Sequence, residues 1–247
     1  TTALFHGRHG VAQQALEVAH EIVTTECPGE TWLLTNVRMS LGSIWSGRGE
    51  HARQARLCGQ WLEEARLRDD QMAVSALNTL GCGWLSSLMS DDANAAWRAV
   101  DAAVAPWPRE PVVLVHFGEC VGRAWVGAYQ GLCQAWSWFE AQRTYHDRAP
   151  LFRVGVMHTF LAGTRCNAGL AAAVQARGTE QADILRSVAR DCDSAHRAAK
   201  GVPALALINA QLLLLQGDQE AALSKLRAAT LVLDESQTTH NALNARY

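Results

Sequence analysis

Apolar residues recur along this chain at three- and four-residue intervals, and short polar turns cut the pattern about every forty residues. The turns read Gly7-Arg8-His9-Gly10, Gly47-Arg48-Gly49-Glu50, Ser90-Asp91-Asp92, Gln130-Gly131 and Gln216-Gly217-Asp218. An Ala-rich amphipathic segment follows each of them: VAQQALEVAHEI, HARQARLCGQWLEEARL, NAAWRAVDAAV, LCQAWSWFEAQR and EAALSKLRAATLVL. One helix pair of this kind cannot bury its apolar faces alone, so consecutive pairs must stack on each other. The pattern predicts an all-α chain, an α-solenoid of about five to six antiparallel pairs forming one domain over residues 1–247.

The spacing predicts helices over Val11 to Thr24, Thr31 to Ser46, Glu50 to Arg68 and Gln71 to Met89, the last interrupted by Gly81-Cys82-Gly83. Further helices are expected over Asp92 to Ala105, Pro111 to Tyr129, Gly131 to Tyr145 and Leu151 to Ala176. Glu180 to Lys200, Ala204 to Gln216 and Asp218 to Leu233 complete the set. Thr1 to His6 reads as the end of a helix and Ser236 to Tyr247 as a further one cut short. The first full helix places Val11, Ala15, Val18, Ala19 and Ile22 on one face. Val112 to Val115 alone resembles a strand, and its helical flanks argue against one. Asp69-Asp70 and Asp91-Asp92 stand where helices begin, where a carboxylate satisfies free N–H groups; capping accounts for them better than paired catalysis does.

Composition narrows the function. Hydrophobic residues make up 49% of the chain, enough for a large core, and the net charge of −2 argues against a nucleic-acid surface. Seven cysteines lie scattered without a CxxC pair, which fits free thiols in a reducing cytoplasm. No signal peptide or membrane span is legible: Val202 to Leu215 is too short and carries Asn209 and Gln211. The chain begins at Thr1 without a Met, so a segment upstream is expected.

Polar side chains set within apolar first helices are the candidate ligand contacts: Asn36, Arg38, Asn78, His116, Arg123, His158, Arg165 and Asn209. A concave row of such residues suits an extended peptide held by its backbone or its carboxylates. His116, Glu119 and Arg123 also fall on one helical face, and with His158 and Arg165 they define the alternative, an all-α enzyme with a pocket between helices. The pairs His6/His9 and His116/Glu119 have two-ligand spacing, but no third ligand is in view; no metal, cofactor or catalytic residue is assigned. Nine tryptophans are expected mostly in the core. Trp136 and Trp138 cannot both face it, so one of them, with Phe139, is expected at an interface that also suits a homo-oligomer.

Several segments in order resemble the tetratricopeptide-like C-terminal region of large myxobacterial and planctomycete serine/threonine protein kinases. They are Glu30-Thr31-Trp32, Glu63 to Asp70, Asp91-Asp92 with Pro106-Trp107-Pro108, Val115-His116-Phe117, Leu151 to Val154 and Leu215 to Ala222. The resemblance implies a non-catalytic docking or sensing array attached to an upstream kinase or other effector domain. It binds a protein or peptide and carries over no functional residue. Kinase motifs are absent, and the long stretch Leu151 to Gly178 departs from the pattern.

Overall fold

The structure, a computed structural model, describes residues 9–81, 83–131, 133–198 and 202–235. The expected helices Thr1 to His6 and Ser236 to Tyr247, and the residues His6 and Cys82, lie outside this set. Among the described residues there are twelve α-helices and no strand. They are α1 (His9–Thr25), α2 (Thr31–Arg48), α3 (His51–Leu67), α4 (Gln71–Thr79), α5 (Trp84–Met89) and α6 (Ala93–Val104). Then come α7 (Leu114–Gln130), α8 (Gln134–Arg148), α9 (Gly155–Gln175), α10 (Gly178–Ala198), α11 (Pro203–Leu215) and α12 (Gln219–Glu235). The fold is all-α and repeat-like, with helices packed against neighbours, α9 on α10 and α11 on α12 most extensively.

One turn geometry closes four of the pairs. At Gly49, Asp69, Asp91 and Gly217 the backbone enters the left-handed region, with φ of 75°, 56°, 57° and 90°. In each case this N–H bonds the carbonyl three residues back and the next N–H bonds the carbonyl five back, as in Gly49 to Ser46 with Glu50 to Trp45, and Gly217 to Leu214 with Asp218 to Leu213. The residue that closes one helix therefore adjoins the cap of the next. Asp70, Asp92 and Asp218 accept from the N–H groups of Ala73, Ala95 and Ala221 at 2.9, 2.7 and 3.0 Å. Each Asp-Asp pair thus divides its work: the first aspartate tolerates the left-handed turn, and the second caps.

The helices divide into two compact units at Gly122/Arg123, within α7. In the first unit, the indoles of Trp45 and Trp61 stack at 5.5 Å with Val37, Leu41, Cys58 and Leu77 around them. The break between α4 and α5 frees carbonyls that side chains of α2 and α3 satisfy: Ser43 Oγ donates to Leu80 O at 2.6 Å and Gln54 Nε2 to Gly81 O at 3.0 Å. A Cβ on Gly42 would stand 2.6 Å from Gly81 O, so the close approach requires glycine there. The expectation for α1 needs correction. Ala12, Leu16, Ala19 and Val23 pack inward, while Val11, Val18 and Ile22 are exposed, because this helix is apolar on two sides and the first unit covers one.

In the second unit, α9 and α10 pack along their length, burying Cys166, Leu170, Ala173, Leu185, Val188 and Cys192. The expected helix from Leu151 is split. Pro150–Arg153 is a 3-10 turn, Val154 is extended, and α9 starts only at Gly155. Residues 112 and 113 are irregular and lead into α7, in place of any strand. Among the described residues, no helix is long and apolar enough to cross a membrane.

Candidate functional site

His116 sits in the first turn of α7, where its Nδ1 accepts the N–H of Val113 at 3.0 Å. The imidazole thus plays the part a Gln or Glu plays in a capping box, and the acceptor role leaves Nε2 as the protonated nitrogen. Burial, then the nearby charge of Arg109, holds its pKa below the ordinary histidine value, while Glu119 acts the other way. One turn on, Glu119 is 1% exposed and takes both terminal nitrogens of Arg109 at 2.5 and 3.2 Å. Arg109 comes from the connector that Trp107 ties to α4 by a 2.8 Å bond from its Nε1 to Ser75 Oγ. His116 and Glu119 therefore fasten this connector and the start of α7. Their hydrogen-bonding groups face the protein's own residues, and His116 Nε2 is buried without a partner.

Arg123, the third member of the proposed catalytic face, lies in the second unit with its guanidinium 5.1 Å above the Trp138 ring. Arg38 is likewise structural. It pairs with Glu64 at 2.6 Å, donates to His20 Nε2 at 3.3 Å and stacks over Trp61, joining α1, α2 and α3. Asn36 returns its amide to Trp32 O at 2.8 Å, and Asn78 is half-buried against Gly83. Asn209 is half-buried on α11.

A polar seam joins α8, α9 and α10. Arg143 donates to Asp191 at 3.2 and 3.1 Å, to Glu140 at 3.0 and 2.7 Å and to Ser187 Oγ at 3.1 Å. Burial disfavours the Arg143 charge, yet its hydrogen bonds to Asp191 and Glu140 outweigh that and push its pKa up. Arg165, 4% exposed, donates to Asp147 at 3.1 Å and brings its Nε within 3.8 Å of Asp191. His158 Nε2 shares a 2.8 Å hydrogen bond with Ser194 Oγ. The sequence-derived candidates His158 and Arg165 are thus engaged within this seam. Beside it, burial raises the thiols of Cys166 and Cys192, the latter to about 11, which keeps them protonated and unreactive.

The interface expectation is corrected too. Phe139 is fully buried beside His146, and Trp136 is 8% exposed and packed with core residues of α9 and α10; Trp138 is half-buried between Phe139 and Arg123. The exposed indoles are instead Trp32 and Trp125.

Trp136 instead floors an open groove of about 680 Å³ within the second unit. Ile184 and Ala189 of α10 extend the apolar floor. Glu140 of α8, Asp183, Arg186, Ser187 and Arg190 of α10, and Gln216 at the end of α11 form its polar wall. Two ion pairs neutralise the carboxylates, Arg143 with Glu140 and Arg186 with Asp183. Arg190 is exposed and makes no ion pair or side-chain hydrogen bond among the described residues. The sequence reading overlooked Arg186, Arg190 and Gln216, although Asp183, Arg186, Ser187 and Arg190 fall at i, i+3, i+4 and i+7 on one face.

Among the described residues no group of three or more His, Cys, Asp or Glu side chains is placed to hold a metal ion. Compared with family models, curated proteins and solved structures, the chain matches none.

Proposed function

We propose that this chain is a non-catalytic recognition array that binds a protein or peptide segment. The observation that carries the reading is the open groove floored by Trp136, Ile184 and Ala189 and walled by polar side chains of α8, α10 and Gln216. Such a surface offers apolar contact with a few orienting groups, as peptide-docking grooves do. The side chains of the rival enzyme reading support it from the other direction. His116 caps α7 through Nδ1, Glu119 pairs with Arg109, and Arg123 stacks on Trp138, so each makes a contact within the fold. Panning the full chain against a displayed library of random octapeptides tests the proposal. Recovery of no sequence family that binds the chain saturably in solution would reject it.

The ordered resemblance to kinase C-terminal arrays supports a regulatory role within a larger signalling protein. Ligand binding would then bias the docking of an attached effector. The sequence of the native gene product tests that part: glycine-loop, HRD and DFG motifs upstream are expected, and an upstream region with none of them sinks the kinase attribution.

A further inference from the structure

The groove of the second unit is lined by two carboxylates, Glu140 and Asp183, and two arginines, Arg186 and Arg190. Each carboxylate is met by an arginine, Glu140 by Arg143, which also holds Asp191, and Asp183 by Arg186 of the same wall. These pairs leave Arg190, one turn beyond Arg186 on the same face of α10, as a cation with no counter-ion among the described residues. Its guanidinium stands at the edge of an apolar floor, where a charge-assisted hydrogen bond is less well competed by water than on an open surface.

Gln216 projects from the end of α11 into the same groove. Its carboxamide makes no side-chain hydrogen bond among the described residues, and it carries both donors and an acceptor, the complement of a peptide unit. Ser187 Oγ accepts from Arg143, which leaves its O–H to donate. The apolar floor suits an aliphatic or aromatic side chain next to these groups.

We propose that this groove binds a short extended peptide segment bearing an Asp or Glu side chain, with Arg190 as the counter-ion, Gln216 reading the backbone and Trp136 flooring the apolar subsite. The inference rests on the recognition reading above and names the chemistry of its ligand. The exposed position of Arg190 means that substitution there leaves the core intact.

The test pans the same random octapeptide library in parallel on the full wild-type chain and on full chains carrying Arg190→Gln and Arg190→Lys. Wild type should enrich Asp or Glu at one position beside an apolar residue. Arg190→Gln should lose the acidic enrichment while keeping the apolar one, and Arg190→Lys should keep both. Synthetic acidic peptides should bind Arg190→Gln about tenfold more weakly than wild type and weaken with salt. Enrichment without acidic preference on wild type, or acidic enrichment unchanged in Arg190→Gln, overturns this inference and leaves the recognition reading standing. Recovery of no binding peptide overturns both.

Discussion

Arg143 and Asp191 join α8 to α10 through two hydrogen bonds of 3.2 and 3.1 Å. Asp191 also stands 3.8 Å from Arg165, so one carboxylate holds two guanidinium groups in the interior of the second unit. Replacing it by Asn should destabilise the chain by roughly 1–3 kcal/mol, since both cations would then lose their shared carboxylate and keep only Glu140 and Asp147. Denaturant unfolding of Asp191→Asn, Arg143→Met and the double variant measures this. The double variant should lose less than the two single losses together, and strict additivity would show that the pair is not coupled.

Histidine burial sets the response to acid. Burial lowers the pKa of His9, His20 and His116, with the charge of Arg48, Arg38 and Arg109 respectively acting in the same direction. Above the unfolded value of about 6.5 the contribution of these neutral imidazoles is complete. As pH falls through their lowered folded values, the unfolded chain takes up protons that the native state resists, and stability falls. Urea midpoints should therefore drop between about pH 7.5 and about pH 5.5. His116→Gln keeps an acceptor for the Val113 N–H and does not titrate, so it should show a smaller drop.

The shared turn makes opposite predictions for adjacent residues. Asp91→Gly should stabilise by about 0.5–1 kcal/mol, because glycine adopts φ of 57° without strain. Asp92→Ala should cost about 1 kcal/mol by removing the 2.7 Å cap on Ala95 N. Thermal unfolding of the two variants reads both signs, and equal effects would contradict the division of roles.

Buried thiols should be silent in the native protein. Burial raises Cys58 to about 12 and Cys192 to about 11, whereas Cys27 is exposed. A disulfide reagent should modify Cys27 quickly and reach Cys58, Cys166 and Cys192 only on unfolding. Rapid native labelling of Cys166 would show that α9 and α10 open more readily than their packing implies.

The helices are legible because their signals are local: amphipathic spacing, Asp caps, and glycine or aspartate at the left-handed turns. The side on which each helix is buried is less so. In α1 the stripes Val11/Val18/Ile22 and Ala12/Leu16/Ala19/Val23 are equally apolar, and only the position of α2 decides between them. The same gap applies to the candidate site residues. His116, Arg38 and Arg165 are polar residues on apolar faces, and their partners Val113, Glu64 and Asp147 are set by turns and packing that spacing alone does not encode. Arg190 was passed over for the converse reason: on sequence it is one charge on a solvent face, and only the arrangement of α8, α10 and α11 makes that face a groove wall.

The most direct test of recognition through this groove is a hydrogen-exchange map of the full chain with and without the octapeptide most enriched in panning. The account predicts protection at the start of α8, across residues 183–190 of α10 and around Gln216. Protection confined to Arg109 through Glu119, with the groove unchanged, would contradict it and return the function to the polar cluster at the start of α7.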